Sequence, residues 1–277
     1  MTKIFVGGVH VIKIIFSDMD GTLLTSEGKL PEGFNKIIAE LKKRGVIFSP
    51  ASGRQYFALL KSFNQYEDEF IFLAEGGAFV MRSGEEIYSQ AMPKKIALEV
   101  IHAGDSMKNI LKVFCGKNDA YILDNQNIPE FTAELTKYYT HHRTTKNWEE
   151  IDDAPLKIAF FDPSGNSRIN IYEKLLYFEP EVQVIPSSNN WVDVMMPNVN
   201  KGHAIKKIQQ LLNIEPEECA AFGDYLNDYE MFKSVGYSFA MANAHPELKK
   251  IANFETLSND EGGVLGGIKK LMDMGLV

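Results

Sequence analysis

The sequence predicts an α/β fold: a Rossmann-like, doubly wound and mainly parallel sheet as the core, with an α+β domain inserted into it. Two observations predict this fold. Strand-like apolar runs alternate with helical patterns in both the N-terminal and the C-terminal part of the chain, which is typical of βαβ units. The residues between these two series carry helix and strand signals of their own. We therefore expect residues 1–88 and 189–277 to form the core and residues 89–188 to form the inserted domain.

The N-terminal series begins with the apolar run Val11–Phe16, which we expect to be a buried strand, and continues with a helix over Pro31–Arg44. In this helix apolar residues recur at i, i+3, i+4 and i+7 from Phe34, so one face can pack on the sheet. Gly45 stands just past the helix end, where glycine is common. The other elements predicted here are the strands Val46–Ser49 and Phe70–Leu73, the helix Tyr56–Phe63, and a hairpin that turns at Ser83-Gly84.

The C-terminal series continues this alternation, and we expect it to complete the same sheet. Its predicted elements are the strands Trp191–Met196, Glu218–Phe222 and Tyr237–Ala240 and the helices Gly202–Leu212, Leu226–Val235 and Gly263–Met272. The inserted residues show a different mixture of signals, which favours a domain with its own sheet. Its predicted elements are the helices Lys94–Met107 and Pro129–Tyr138 and the strands near Lys112–Cys115, Tyr121–Leu123 and Lys157–Asp162.

The composition and charge limit the possible partners and location. A formal net charge of -8 over 277 residues argues against a general nucleic-acid binder, which needs a basic face to neutralise phosphates. Cys115 and Cys219 form no CxxC pair, which suits a reducing compartment. His10 and Lys13 interrupt the apolar N-terminus, so we expect a strand there and not a signal peptide. Since no other run approaches the roughly 20 apolar residues of a membrane helix, we predict a cytoplasmic protein that binds no membrane.

Two aspartates, Asp18 and Asp20, follow the first apolar run almost directly, in Asp18-Met19-Asp20-Gly21-Thr22-Leu23-Leu24. Open parallel sheets bind ligands at the carboxyl ends of their strands, and both carboxylates can project into one crevice before Gly21 releases the chain. Carboxylates this close repel one another unless oxygen ligands hold a divalent cation, here Mg²⁺, between them. A simple turn or a calcium loop is the alternative, but Lys29 occupies the position where a calcium loop needs Glu.

A second acidic pair, Asp224 and Asp228, follows the apolar strand Cys219–Phe222. The two carboxylates are one helical turn apart, so both can face one point above the sheet if Asp224 begins the next helix. The alternative is that Asp224 only caps that helix, as aspartate commonly does. The placement of this pair repeats that of the first pair.

Two further turns carry groups that suit an anion. Ser52, the amide of Gly53 and Arg54 follow the strand at Val46–Ser49, and hydroxyl and backbone donors at a helix start suit phosphate oxygens. Lys201 stands before the helix predicted from Gly202. The alternatives are an ordinary serine cap and a solvated surface lysine. Together with the two acidic pairs, these residues supply the nucleophile, metal cage and cationic clamp that phosphoryl transfer requires.

In these four segments the chain resembles the haloacid dehalogenase superfamily, and within it the Cof-like sugar phosphatases that have a cap of type C2B. The four motifs of this family are matched in order by Asp18–Leu23, Ser52–Arg54, Lys201-Gly202 and Gly223–Asp228, and the resemblance spans nearly the whole chain. It implies that the inserted domain is the cap. It also implies that Ala240–Ala244 lies near the rim of the active site.

The resemblance implies a Mg²⁺-dependent phosphatase that hydrolyses small phosphomonoesters, such as sugar phosphates, through a phosphoaspartate intermediate. Asp18 would be the nucleophile and Asp20 the general acid/base. The chain departs from the family pattern at Gly76-Gly77-Ala78, where Asn-Gly-Ala is usual, and at Gly262-Gly263-Val264, where Asp-Gly-Val is usual. The expected phosphate-binding residues are Ser52, Gly53, Arg54, Lys201 and Asn227, and the expected metal ligands are Asp18, Asp20, Asp224 and Asp228, the last either directly or in support of the others.

Two other functions stay open at this point. A phosphomutase of the same superfamily would return the phosphoryl group to a sugar instead of to water. A phosphate-sensing binding module would accept phosphate in the acidic pocket without turnover. Asp20 favours turnover, because a purely binding site has no need of an acid/base. We expect substrate choice to reside in the cap, where no motif identifies the substrate.

Overall fold

The computed structural model describes residues 11–277, so residues 1–10 of the predicted N-terminal strand lie outside the described residues. The chain divides into two compact units. The first comprises the described residues up to Ala51, with Glu69–Ile71 and Lys201–Val277, and the second comprises Ser52–Asp68 and Phe72–Asn200. This division is not the one predicted from the sequence, residues 1–88 with 189–277 and residues 89–188, and those domain limits stay a prediction.

Most predicted strands are present within a few residues of their expected limits. The hairpin is confirmed, and its two turn residues, Ser83 and Gly84, have φ values of 51° and 74°, as two-residue hairpin turns often require. The strands are β1 (Ile14–Ser17), β2 (Ile47–Pro50), β3 (Ile71–Ala74), β4 (Phe79–Arg82), β5 (Glu85–Ser89), β6 (Leu111–Gly116), β7 (Ala120–Leu123), β8 (His142–Thr145), β9 (Pro155–Phe161), β10 (Gln183–Pro186), β11 (Trp191–Met195), β12 (Cys219–Gly223), β13 (Tyr237–Ala240) and β14 (Phe254–Glu255).

The helices also agree with the prediction, with one correction. The helix predicted over Leu226–Val235 is wrong in its first turn, because Leu226–Asp228 is a 3₁₀ helix and only Tyr229–Phe232 is α-helical. Across residues 11–277, no helix has both the length and the apolar character that crossing a membrane requires. The α-helices are α1 (Phe34–Lys43), α2 (Tyr56–Phe63), α3 (Lys94–Ala103), α4 (Pro129–Leu135), α5 (Glu173–Leu175), α6 (Lys201–Leu212), α7 (Tyr229–Phe232), α8 (Pro246–Ile251) and α9 (Gly263–Asp273).

The first unit contains a parallel sheet with the strand order β14-β13-β12-β1-β2. The chain moves from β1 to β2 in one direction, and from β12 through β13 to β14 in the other. Crossovers between parallel strands are right-handed, so a sheet that grows in both directions has helices on both faces. This is the doubly wound arrangement, and the predicted fold class is confirmed. The direction reverses between β1 and β12, and open sheets bind ligands at such a point.

Helices pack closely on this parallel sheet. Helix α1 buries the apolar face that its spacing predicts, and Phe34 meets Phe48 of β2 edge-on at a centroid distance of 5.6 Å. Phe222 of β12 and Phe239 of β13 stack at 4.8 Å. Helix α9 approaches these rings through Gly267, where a Cβ atom would lie 2.3 Å from a ring carbon of Phe222. The absence of a side chain at Gly267 therefore sets how close α9 lies to the sheet.

The second unit contains a six-stranded sheet in the order β10-β11-β9-β6-β7-β8. Its neighbouring strands are antiparallel except for β7 and β8, which are parallel. Successive residues of β6 enter different apolar clusters: Phe114 packs with Val100 of α3, and Val113 packs with Phe131 of α4. Both faces of the sheet are therefore covered. This is the α+β arrangement that was predicted for the inserted residues.

One strand lies in a different sheet from the one predicted. The strand expected at Trp191–Met196 is present as β11, but it pairs antiparallel with β9 on one side and with β10 on the other, and it is not part of the parallel sheet. Its apolar residues Trp191, Val192 and Val194 are buried there. A short apolar run indicates a buried strand, but it carries no information about which sheet will accept it.

Gly267→Ala is predicted to destabilise the protein, and Gly266→Ala is its matched control. At residue 266 the nearest atom to a new Cβ would be Thr256 Oγ1 at 3.7 Å, an ordinary contact, whereas at residue 267 it would be the ring of Phe222 at 2.3 Å. Alanine favours a helix by about 1 kcal/mol over glycine, so Gly266→Ala should be neutral or stabilising. Overpacking at residue 267 should cost about 1–3 kcal/mol. Equilibrium unfolding in urea measures both, and equal midpoints would contradict this account.

Candidate active site

The first acidic turn follows the carboxyl end of β1, beside β12, where the strand order reverses. The amide of Asp18 donates a hydrogen bond of 3.0 Å to the carbonyl oxygen of Phe222, the neighbouring residue on β12. The chain then turns back on itself, because the amides of Leu23 and Leu24 donate to the carbonyl oxygens of Asp18 and Met19. The Asp18 side chain is buried, whereas that of Asp20 is exposed. The turn therefore fixes Asp18 beside the end of β12.

Asp224 stands just after β12 and is held by this same turn. Thr22 Oγ1 donates a hydrogen bond of 2.8 Å to Asp224 Oδ1. Gly21 has a φ of 78°, and a Cβ atom there would lie 2.4 Å from Asp224 Oδ2, so only glycine fits. Asn243 Nδ2 donates to the carbonyl oxygen of Gly21 at 2.8 Å, which places part of the segment 240–244 against the turn. Thr22 was not predicted as a site residue, although its place in the first motif was a signal.

Asp228 is fully buried and organises the turn after β12. Its Oδ2 accepts hydrogen bonds from the amides of Asp224, at 3.0 Å, and Tyr225, at 3.3 Å. A Cβ atom at Gly223 would lie 2.5 Å from this oxygen, so glycine is needed there too. Asn227, in the same 3₁₀ turn, is exposed. The Asp228 carboxylate thus takes the place of a backbone acceptor for a turn that would otherwise leave two amides unpaired.

Lys201, the first residue of α6, links the two acidic turns. Its Nζ donates to Asp18 and to Asp228 Oδ1, the latter at 2.6 Å, and the side chain is buried. The next residue, Gly202, lies so close to α7 that a Cβ atom would be 2.2 Å from the carbonyl oxygen of Glu230. This close approach brings the start of α6 to the ends of β1 and β12. The solvated lysine considered as an alternative is therefore wrong for the position of Lys201.

Three carboxylates face a single ammonium group in this cluster. Asp18, Asp224 and Asp228 each offer an oxygen, and these atoms all lie within 4.8 Å of one another. Burial raises the pKa of Asp18 well above its usual value, and Asp228 and Asp224 raise it further against the opposing effect of Lys201. Burial likewise raises the pKa of Asp224 to about 6. Burial alone would lower the pKa of Lys201, but Asp18 and Asp228 outweigh it and raise that pKa, so the lysine is charged.

The carboxylate cluster suits a metal ion. Its donors are all carboxylate oxygens, which hard divalent cations prefer to the nitrogen and sulfur ligands of zinc. One ammonium group leaves the three carboxylates with an excess of negative charge, and repulsion between them adds to burial in raising the pKa values of Asp18 and Asp224. A divalent cation would neutralise this excess. Asp20 is not among the three residues that the structure brings together, and its role as a ligand stays a prediction.

The predicted anion-binding turn, Ser52-Gly53-Arg54, lies in the second unit, and we call it the anion loop. Ser52 is buried, and its Oγ accepts a hydrogen bond of 3.1 Å from the amide of Arg54. Within residues 11–277 the Ser52 hydroxyl hydrogen has no acceptor, and the Gly53 amide likewise donates to nothing. A buried hydroxyl without an acceptor is uncommon in folded proteins. Two donors of the anion loop are thus available to a ligand.

Comparisons with known proteins identify the family to which the chain belongs. The family model described as haloacid dehalogenase-like hydrolase matches residues 15–268. The 5-amino-6-(5-phospho-D-ribitylamino)uracil phosphatase YbjI of Escherichia coli K12 is 29% identical over 94% of this chain and 96% of its own. The phosphatase YwpJ of Bacillus subtilis is 25% identical over 94% of this chain and 100% of its own.

Solved structures share the fold of the whole chain. The crystal structure of SMU.1108c from Streptococcus mutans UA159 has a TM-score of 0.84 at 24% identity and covers 95% of this chain and 99% of its own. The subclass IIB sugar phosphatase BT4131 has a TM-score of 0.79 at 20% identity, with 96% and 100% covered. The predicted superfamily and enzyme class, a phosphatase, are confirmed. The match to the family model over residues 15–268 shows that the chain belongs to the haloacid dehalogenase-like hydrolases.

Proposed function

We propose that this phosphatase depends on Mg²⁺ and hydrolyses small phosphomonoesters, such as sugar phosphates, through a phosphoaspartate on Asp18. One observation carries the proposal: the buried Asp18 carboxylate lies at the reversal point of the sheet, against Lys201 and beside the carboxylates of Asp224 and Asp228. Such a site combines a fixed nucleophile with the charges that phosphoryl transfer requires. The phosphatase names of the full-length relatives favour hydrolysis over binding without turnover.

In the proposed reaction a carboxylate oxygen of Asp18 attacks phosphorus and the bond to the alcohol oxygen breaks. Asp20 donates its proton to the departing alcohol and then, as a base, takes a proton from the water that hydrolyses the phosphoaspartate. The contrast between the two side chains supports this division, since Asp18 is buried and held in place whereas Asp20 is exposed. An exposed carboxyl can exchange protons with solvent between turnovers.

Separate sets of residues are proposed to hold the cation and the phosphate. Mg²⁺, when bound, would neutralise the charge that builds up on the transferring phosphoryl group. The oxygen-only donors and the excess of carboxylates support this choice of ion. The proposed metal ligands are Asp18, Asp20, Asp224 and Asp228, and the proposed phosphate-binding residues are Ser52, Gly53, Arg54, Lys201 and Asn227.

A screen of phosphomonoesters tests the proposed function. The panel should contain sugar phosphates, nucleotides, pyridoxal phosphate and flavin mononucleotide, together with the phosphorylated ribitylaminouracil that names the Escherichia coli relative. We expect Mg²⁺-dependent release of inorganic phosphate from one or more members. Transfer of the phosphoryl group to a second position on a hexose phosphate would indicate the phosphomutase instead. No release from any member with Mg²⁺ present would contradict the proposal.

We predict that Asp18→Asn lowers turnover more than about 1,000-fold, because an amide cannot attack phosphorus. The similar shape of asparagine should leave the thermal midpoint close to that of the unmodified protein. Acid quenching with a ³²P-labelled substrate should trap label on the unmodified protein and none on the variant. Asp260→Asn is the control, since this exposed aspartate accepts hydrogen bonds from Ser26 alone among residues 11–277 and should keep full activity. Near-normal turnover in Asp18→Asn would remove Asp18 from the nucleophile role.

We predict that Asp224→Ala raises the Mg²⁺ concentration for half-maximal activity by at least about tenfold, because it removes one of three clustered carboxylates. Excess Mg²⁺ should restore part of the activity. A ligand that binds only the folded state raises the thermal midpoint, so Mg²⁺ should stabilise the unmodified protein more than the variant. Superimposable Mg²⁺ titrations for the two proteins would show that Asp224 is not a ligand.

We further propose that residues 89–188 act as a cap that sets substrate choice. The separate sheet and the two apolar clusters of the second unit support an independent role for this part of the chain. Since β11 belongs to that sheet, a chimera should exchange residues 90–197 as one piece with those of a relative. The chimera is expected to acquire the ranking of substrates by kcat/KM that the donor shows. If it keeps the ranking of the recipient, substrate choice lies in the core loops.

A further inference from the structure

A buried group of charged side chains lies in the second unit, outside the carboxylate cluster. Lys157 of β9 is 2% exposed and Glu75, just after β3, is 1% exposed. Lys157 Nζ lies 3.0 Å from Glu75 Oε2 and 3.5 Å from Asp193 Oδ2. Neither oxygen of Glu75 has a hydrogen bond of good geometry with the described residues, so the ion pair is the polar contact of this carboxylate. Because buried ion pairs contribute little net stability, we looked for another role of this pair in the residues around it.

The pair lies directly against the anion loop. Lys157 Nζ donates a hydrogen bond of 3.0 Å to the carbonyl oxygen of Gly53, the middle residue of the loop. The amides of Gly76 and Glu75 donate to the carbonyl oxygens of the first and third loop residues, both at 2.9 Å. All three carbonyl groups of the anion loop are therefore held from one side, by Lys157 and by the segment that follows β3.

The direction of these carbonyl groups fixes the direction of the loop's donors, because the C=O and N–H of a trans peptide point to opposite sides. The carbonyl of Ser52 is turned toward Gly76, so the amide of Gly53 points away and meets no acceptor in the described chain. The carbonyl of Gly53 is turned toward Lys157, so the amide of Arg54 points to Ser52 Oγ. The hydroxyl hydrogen of Ser52 is then left for another acceptor.

The segment that holds the loop has an unusual backbone. Glu75 has a φ of 50°, and Gly76 and Gly77 follow with 66° and 106°. Glutamate is disfavoured in this left-handed region, and such residues cluster near functional sites. Burial alone would lower the pKa of Lys157, but Asp193 and Glu75 raise it, so the side chain carries its charge. A glutamate with a strained backbone and a charged ammonium group are thus both buried against the anion loop.

We propose that Lys157 is a positioning residue for phosphate binding: held by Glu75, its ammonium group holds the Gly53 carbonyl, so that the Arg54 amide points to Ser52 Oγ and the Ser52 hydroxyl hydrogen is left for the phosphate. The inference rests on the proposed function, in which Ser52 and Gly53 bind phosphate. Lys157 itself does not touch the substrate. Lys157 is far from the anion loop in sequence, but both belong to the second unit, where they are in contact.

The experiment compares variants of the full chain with para-nitrophenyl phosphate as substrate and inorganic phosphate as inhibitor. Lys157→Met removes the ammonium group. The double variant Lys157→Met with Glu75→Gln also removes the negative charge of the carboxylate that has lost its partner. The double variant therefore replaces the single one if the single one does not fold. We expect KM and the inhibition constant of phosphate to rise about 10- to 100-fold, with the Mg²⁺ concentration for half-maximal activity unchanged. Lys157→Arg should restore part of the phosphate affinity.

Lys112→Met is the matched control. Lys112 is a second buried lysine of the same sheet, 4% exposed and paired with Asp105, and it has no contact with the anion loop. Loss of the Lys112 ammonium group should lower the thermal midpoint and leave KM and the inhibition constant of phosphate unchanged. Equal shifts in both lysine variants, or no shift in Lys157→Met, would overturn the positioning role while the proposed function stands. An unmodified protein that neither hydrolyses the ester nor binds phosphate would overturn both.

Discussion

The bridge that Lys201 forms between Asp18 and Asp228 is the interaction on which the candidate site depends. It joins three segments that are far apart in sequence: the end of β1, the turn after β12 and the start of α6. Without the ammonium group, the buried carboxylates of Asp18 and Asp228 would face each other beside the half-buried Asp224, and removing the cation from such a group is strongly destabilising. The bridge also explains why glycines surround it, since Gly202 and Gly223 leave no room for side chains where these segments meet. The geometry of the site is thus a consequence of close backbone packing around one charge.

The carboxylate cluster and the anion loop differ in chemical character. The ends of the parallel sheet collect acceptors, with Asp18, Asp224 and Asp228 around one lysine. The anion loop presents hydrogen-bond donors, because its three carbonyl oxygens all accept hydrogen bonds from Lys157 and from the segment after β3. Acceptors suit a cation and donors suit an anion, as the roles proposed for the two groups require. Each group is built by residues of a single compact unit.

The sequence predicted those features that are local. Three of the four motifs follow the ends of β1, β2 and β12, as was expected, since an apolar run followed by acidic or small polar residues defines a strand end without reference to other parts of the chain. The motif at Lys201 instead begins α6. The pairing of β11 with β9 was missed because an apolar run fits any sheet that buries both faces. The role of Glu75 and Lys157 was missed for a related reason. Their charges resemble those of surface residues until the fold brings them together.

The order of the strands has a consequence for the growing chain. β1 lies between β2 and β12, so its sheet lacks a central neighbour until Gly223 has been made, whereas the second unit ends at Asn200. Parallel pairing between distant segments also forms slowly, because a long loop must close first. During synthesis on a ribosome, the inner strands that present Asp18 and Asp224 are therefore joined only after every residue of the second unit has been made.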